Sequence, residues 1–186
     1  SHAVGILGVF GRMSMGQISK VGVVGLGTMG AGVVEVVARA GADVIGVEVS
    51  EDALARARAS VEKSTARAVE RGKLTDEERT AALGRIRFTT DISALADREL
   101  AIEAVTEDVE VKRAVVAELD KVLAPGVIIA TNTSSLSVTH ISVGTGRPDR
   151  VVGMHFFNPA PVQSFMEIVR TLVTAEGQHL RALTDV

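Results

Sequence analysis

At 186 residues the chain is long enough to bury one core and too short for two ordinary domains. An apolar fraction of 46% with 23% charged residues matches a soluble globular protein, and a net charge of -3 gives no electrostatic reason to expect a nucleic acid or an anionic membrane as partner. Zero cysteines exclude disulfides, a zinc-thiolate centre and thiol catalysis, and they fit a reducing cytoplasm.

Residues 1–19 follow neither the helical nor the strand period and are expected to be a leader or tag-like segment outside the fold. The run Val4 to Phe10 is short and glycine-interrupted, has no basic region before it, and does not read as a signal peptide. The domain is expected to occupy 20–186. No run approaches the roughly 18 apolar residues of a membrane span.

From Lys20 onward, short β-rich runs alternate with helical patterns. Strands are expected at Lys20 to Val24, Asp43 to Glu48, Ile86 to Thr89, Leu100 to Val105, Val127 to Thr131, Val151 to Phe156 and Phe165 to Val169. Helices are expected over Ala31 to Ala40, Ser50 to Arg71, from Thr75 onward, and from about Asp108 to Leu123, where Ala124-Pro125-Gly126 stops the last. Thr75 and Glu78 have the spacing of a capping box. Such alternation predicts an α/β fold: a Rossmann-type doubly wound, mostly parallel sheet with a helical-pair insertion.

Between the first of these strands and the first helix lies Gly25-Leu26-Gly27-Thr28-Met29-Gly30, a G-x-G-x-x-G in strand-turn-helix context. Gly25 permits the tight turn, Gly27 lets a pyrophosphate approach the backbone, and Gly30 lets the helix pack on the strand. Amides at the helix start then face the phosphate charge. Glu48 ends the next strand, where a carboxylate accepts ribose hydroxyls and repels a 2′-phosphate. No arginine follows in Val49-Ser50-Glu51, so NAD is expected over NADP.

The helical pair over residues 50–84 is more than a crossover needs. It reads either as an arm over the ligand crevice or as decoration of the sheet, and its cations Arg56, Arg58, Lys63, Arg67 and Arg71 fit a solvated face as well as a ligand. Asn132-Thr133-Ser134-Ser135 follows a strand at its carboxyl end, where open α/β sheets bind ligands; Ser134 or Ser135 either touches a substrate or caps the short helix over Val138 to Val143. If the chain reverses around Pro161, His155 faces Glu167 across two strands, about 5 Å apart at Cβ. An imidazole oriented by a carboxylate is the base a dehydrogenase needs. His140 lies on the short helix, His2 and His179 lie in end segments, and no histidine or carboxylate spacing argues for a metal.

Three stretches together, 24–32, Asn132 to Leu136, and His155-Phe156-Phe157-Asn158-Pro159-Ala160-Pro161-Val162, resemble the 3-hydroxyacyl-CoA dehydrogenase family, and its 3-hydroxybutyryl-CoA members most. The resemblance runs from about Lys20 to Arg170. It implies that His155 is the acid/base, Glu167 its partner, Ser134 a donor to the substrate oxygen, and Asn158 a neighbour of nicotinamide and substrate. It further implies that Glu107 and Lys112 contact the cofactor, and that Ser64 and Arg71 on the helical arm meet coenzyme A. Family members continue into a helical domain that closes over the acyl group and forms the dimer. This chain ends at Thr184-Asp185-Val186, where that domain would begin, so the 186 residues are expected to be a cofactor domain with an uncovered apolar patch and either weak self-association or a substitute partner.

The expected function is NAD-dependent interconversion of a (3S)-3-hydroxyacyl-CoA and its 3-oxoacyl-CoA. The alternatives are a fragment that binds NAD without turnover, and a dehydrogenase of a free hydroxy acid such as L-gulonate.

Overall fold

The computed structural model describes residues 6–10, 18–162, 165–171 and 174, the first of these stretches by its backbone alone. Of the segment expected as a leader, residues 1–5 and 11–17, with His2 among them, lie outside the described residues, as do His179 and residues 184–186. Eight strands form one sheet: β1 (Ile6–Phe10), β2 (Lys20–Val24), β3 (Asp43–Val47), β4 (Ile86–Thr89), β5 (Leu100–Glu103), β6 (Ile128–Thr131), β7 (Val151–Phe156) and β8 (Phe165–Val169), in the order β1-β8-β7-β6-β5-β2-β3-β4. Strands β2 to β7 run parallel, while β8 is antiparallel to β7 and β1 to β8. The presence of β1 corrects the expectation that all of residues 1–19 stand outside the fold. Ile6-Leu7-Gly8-Val9-Phe10 is rich in strand formers, and β8 would otherwise present an unpaired edge.

Five helices cover the faces: α1 (Thr28–Arg39), α2 (Glu51–Glu70), α3 (Asp76–Gly84), α4 (Val109–Val122) and α5 (Val138–Ser142). Alternate residues of each strand point to opposite faces, so two cores result. Val21 and Val23 pack with Val33, Val34 and Val37 of α1, and with Leu54, Ala57 and Ala82 of α2 and α3. Val24, Ile45 and Ile129 pack on the other side with Val116 and Leu119 of α4 and Ile141 of α5. None of the described helices is long and apolar enough to cross a membrane.

The helix starts explain themselves locally. Ser50 caps α2 by accepting from the Ala53 amide, Thr75 and Glu78 form the expected capping box on α3, Asp108 caps α4, and Ser137 caps α5. Among the described residues, α1 is the one α-helix with no side-chain cap; its N-cap is Gly27.

Chain order reverses between β2 and β5: β3 and β4 lie to one side of β2, and β5, β6 and β7 to the other. The turns after β2 and β5 therefore diverge at the carboxyl edge and open the crevice that doubly wound sheets use for ligands. The residues following β2, β3, β5 and β6, and the end of β7, all collect at that edge.

Candidate active site

The turn after β2 is built as its glycines require. Gly25 has φ +87°, and a Cβ there would lie 2.7 Å from the Val105 backbone nitrogen in the turn after β5. A Cβ on Gly30 would fall 1.7 Å from the Gly25 carbonyl oxygen, so the helix seats directly on the turn. At Gly27 the same position is open space. The first-turn amides of α1 thus stand uncapped beside an opening that side chains leave free, which fits a pyrophosphate. Glu48 lies alongside: Oε1 accepts from the Leu26 amide at 3.0 Å and Oε2 from the Val49 amide at 2.7 Å. Each carboxylate oxygen has a second lone pair, which leaves acceptor capacity for ribose hydroxyls. Leu26 is buried in the core, and Thr28 and Met29 open α1.

Across the switch point, Glu107 takes hydrogen bonds from both neighbours of Ser134. The Thr133 hydroxyl donates to Glu107 Oε1 in a short contact, and the Ser135 hydroxyl donates to the same atom at 3.2 Å. Partial burial pushes the Glu107 carboxyl upward, but the Thr133 hydrogen bond and the nearby Lys112 charge outweigh it and hold the group below the usual carboxylate range. Ser134 itself is exposed. Since Ser137 caps α5, neither Ser134 nor Ser135 serves as that cap.

Lys112, expected against the cofactor, is instead fully buried. Its ammonium donates to Glu103 Oε1 at 2.9 Å, to the Asn132 carbonyl at 3.0 Å and to the Val105 carbonyl at 3.2 Å, and Glu107 Oε2 stands 3.5 Å away. Three protons with three protein acceptors leave no donor for a cofactor in this arrangement. Sequence reasoning missed its partner Glu103, whose other oxygen accepts from the Thr131 hydroxyl at 2.6 Å. The available signal was a lone acid inside Leu100-Ala101-Ile102-Glu103 and a lysine in register with the apolar stripe Val116 and Leu119.

β7 and β8 pair with His155 opposite Glu167, the register that symmetry about Pro161 predicts. His155 Nδ1 and Glu167 Oε2 are 3.5 Å apart, and both side chains are about three-quarters covered. The Phe157 ring packs on the imidazole with centroids 4.5 Å apart. A carboxylate facing Nδ1 favours the proton there and leaves Nε2 as the basic nitrogen, an assignment made from the partner and not from an observed hydrogen. Asn158 is exposed just beyond, joined to Pro159 by a cis peptide bond.

The helical pair packs on α1 and against β4. Leu54, Ala57, Val61 and Thr65 form its buried stripe, while Arg56, Arg58, Lys63, Arg67 and Arg71 are exposed. Ser64 is half-buried beside the carboxylate of Glu35 on α1. Arg71 stands at the C-cap of α2.

A doubly wound sheet with an uncapped glycine turn at its switch point, and an acid closing the neighbouring strand, defines a dinucleotide-binding domain. The model for the family described as 3-hydroxyacyl-CoA dehydrogenase, NAD binding domain, matches residues 20–184, and the chain belongs to that family. It is 49% identical over 165 residues to a 3-hydroxybutyryl-CoA dehydrogenase of Mycobacterium tuberculosis, an alignment covering 88% of this chain and 58% of that protein. A crystal structure of M. tuberculosis FadB2 matches with TM-score 0.85 at 49% identity, over 88% of this chain and 58% of that one. The crystal structure of (S)-3-hydroxybutyryl-CoA dehydrogenase PaaH1 from Ralstonia eutropha matches with TM-score 0.86 at 38% identity, over 91% and 60%. The chain thus spans about 58% of the length of the curated M. tuberculosis relative it matches.

Proposed function

We propose that the chain carries the NAD site and the acid-base pair of a dehydrogenase that interconverts a (3S)-3-hydroxyacyl-CoA, of which 3-hydroxybutyryl-CoA is our candidate, and its 3-oxoacyl-CoA. The observation that carries the reading is the His155–Glu167 pair at the carboxyl edge of the sheet that also holds the glycine turn. The open position at Gly27, the uncapped start of α1 and the Glu48 carboxylate suit the pyrophosphate and ribose of NAD. NAD, when bound, supplies the acceptor for a hydride leaving the substrate's C3.

His155 Nε2 takes the hydroxyl proton as the C3–O bond becomes a carbonyl, and Glu167 steadies the resulting imidazolium. The exposed Ser134 hydroxyl donates to the substrate oxygen while charge gathers there. In the reverse direction His155 returns the proton. Asn158, three residues beyond the histidine, lies beside nicotinamide and substrate. Exposed Arg71, with Ser64, meets the coenzyme A moiety. Absence of cysteine supports a cytoplasmic setting.

The test is NADH formation from (3S)-hydroxybutyryl-CoA and NAD, run beside His155→Ala and a calorimetric NAD titration. Turnover that His155→Ala abolishes is expected. NAD binding without turnover would make the chain a binding module, and no NAD binding would overturn the reading of the glycine turn. Arg71→Ala should raise KM for CoA substrates; turnover of a free hydroxy acid with KM indifferent to Arg71 would move the substrate class to L-gulonate-like compounds.

A further inference from the structure

The ladder between β6 and β7 stops at Thr131↔Gly153. β7 continues for three more residues, Met154, His155 and Phe156, held on its far side by β8. On the near side no strand among the described residues accompanies it, and a side chain takes over: Asn132 Oδ1 accepts from the Phe156 amide at 3.2 Å. Phe156 directly follows His155, so the peptide joining the two residues is the one being held.

Asn132 is itself anchored. Its amide donates to the Glu103 carbonyl at 2.7 Å, and its carbonyl accepts from buried Lys112 at 3.0 Å. Two residues further on stands Ser134, between Thr133 and Ser135, which Glu107 holds by their hydroxyls. One residue therefore connects the loop that presents Ser134 with the strand end that presents His155.

We propose that Asn132 is a positioning residue of this site: its side-chain oxygen holds the free end of β7 against the 132–135 loop and so fixes His155 relative to Ser134. This inference rests on the dehydrogenase reading above for its catalytic meaning, while the clamp is a property of the fold. A merely structural asparagine would affect stability; a positioning one affects turnover and the two side chains it registers, with cofactor binding spared.

The experiment compares the parent chain with Asn132→Ala and with Asn132→Asp, which keeps the acceptor oxygen. Amide hydrogen exchange at Phe156, NMR signals of the His155 ring and the Ser134 amide, calorimetric NAD affinity and kcat are read on each. In Asn132→Ala, Phe156 exchange should quicken by roughly 10-fold or more, both the His155 and Ser134 signals should shift, kcat should fall by roughly 10-fold, and the NAD Kd should stay within about 2-fold. Asn132→Asp should restore the Phe156 protection and most of the turnover. Unchanged Phe156 exchange in Asn132→Ala, a shift confined to one of the two residues, or an Asn132→Asp as impaired as Asn132→Ala would overturn the proposal. A parent chain without turnover would sink the dehydrogenase reading, and the exchange and NMR comparison would still decide the clamp.

Discussion

Lys112 Nζ and Glu103 Oε1 stand 2.9 Å apart with neither side chain exposed at all. Two charges withdrawn from water this completely persist because each finds further partners. The ammonium reaches two backbone carbonyls, and the carboxylate accepts from the Val105 amide and the Thr131 hydroxyl. The pair thereby ties together β5, the turn after it, the start of α4 and the end of β6, the ground beneath the crevice.

Removing one member alone leaves the other charge stranded. Lys112→Met should cost about 3–5 kcal/mol of stability, read as a lowered urea midpoint. Combining it with Glu103→Gln should recover part of the loss. A single-variant cost below about 1 kcal/mol would mean that water reaches the site.

The last two glycines of the turn should respond oppositely to the same added methyl. Gly27→Ala meets nothing within 4 Å, so the melting temperature should hold while NAD affinity drops by roughly 10-fold or more. Gly30→Ala drives a methyl into the Gly25 carbonyl and should destabilise by about 3 kcal/mol. A Gly27→Ala that binds NAD normally would remove the pyrophosphate from this turn.

Glu35 on α1 is 1% exposed, and burial raises its pKa although the nearby Ser64 hydroxyl and Arg39 charge pull it down. A carboxyl raised on folding contributes stability that is fully present below its unfolded value and is lost as pH climbs through the folded one. Glu35→Gln, which cannot ionise, should therefore be more stable than the parent at neutral pH. That advantage should vanish as pH falls below the ordinary carboxylate range, in urea melts taken across a pH series. A constant difference at every pH would assign the effect to packing.

Arg147 closes α4 from outside: its guanidinium donates to the carbonyls of Asp120, Leu123, Ala124 and Val127, and pairs with Asp120 at 2.6 Å. Arg147→Ala should cost about 2–3 kcal/mol, and Arg147→Lys should restore little, since an ammonium lacks the planar fork. Asp120 is raised by burial, but the Gly146 amide and Arg147 more than offset this and lower it overall. Its contribution should persist above the ordinary carboxylate value and disappear as pH falls through the lowered one, so Asp120→Asn should flatten the acid limb of the stability curve.

The glycine turn, Glu48 and the His155–Glu167 register were legible because each depends on local periods: a turn chemistry in one case, two strands symmetric about Pro161 in the other. The Thr75 capping box was legible for the same reason. What stayed hidden was long-range. The family resemblance puts Lys112 against the cofactor, and only the convergence of β5, β6 and α4 shows that its ammonium has three internal acceptors. Asn132 meets Phe156 across 24 residues, a pairing no local pattern encodes. β1 was missed because an edge strand needs a partner, and its partner β8 lies at the other end of the chain.

The hairpin of β7 and β8 has a consequence in folding order. His155 and Glu167 pair across 167 − 155 = 12 positions, whereas Val21 and Leu100 of β2 and β5 pair across 100 − 21 = 79. Closing the shorter loop costs less chain entropy, by roughly 1.7 kcal/mol on a (3/2)RT ln n scaling. The acid-base pair is thus a low-contact-order unit attached to a high-contact-order frame. In refolding followed residue by residue, the hairpin should gain protection before the central β2–β5 seam closes, so the histidine meets its carboxylate before there is a crevice for either of them to serve.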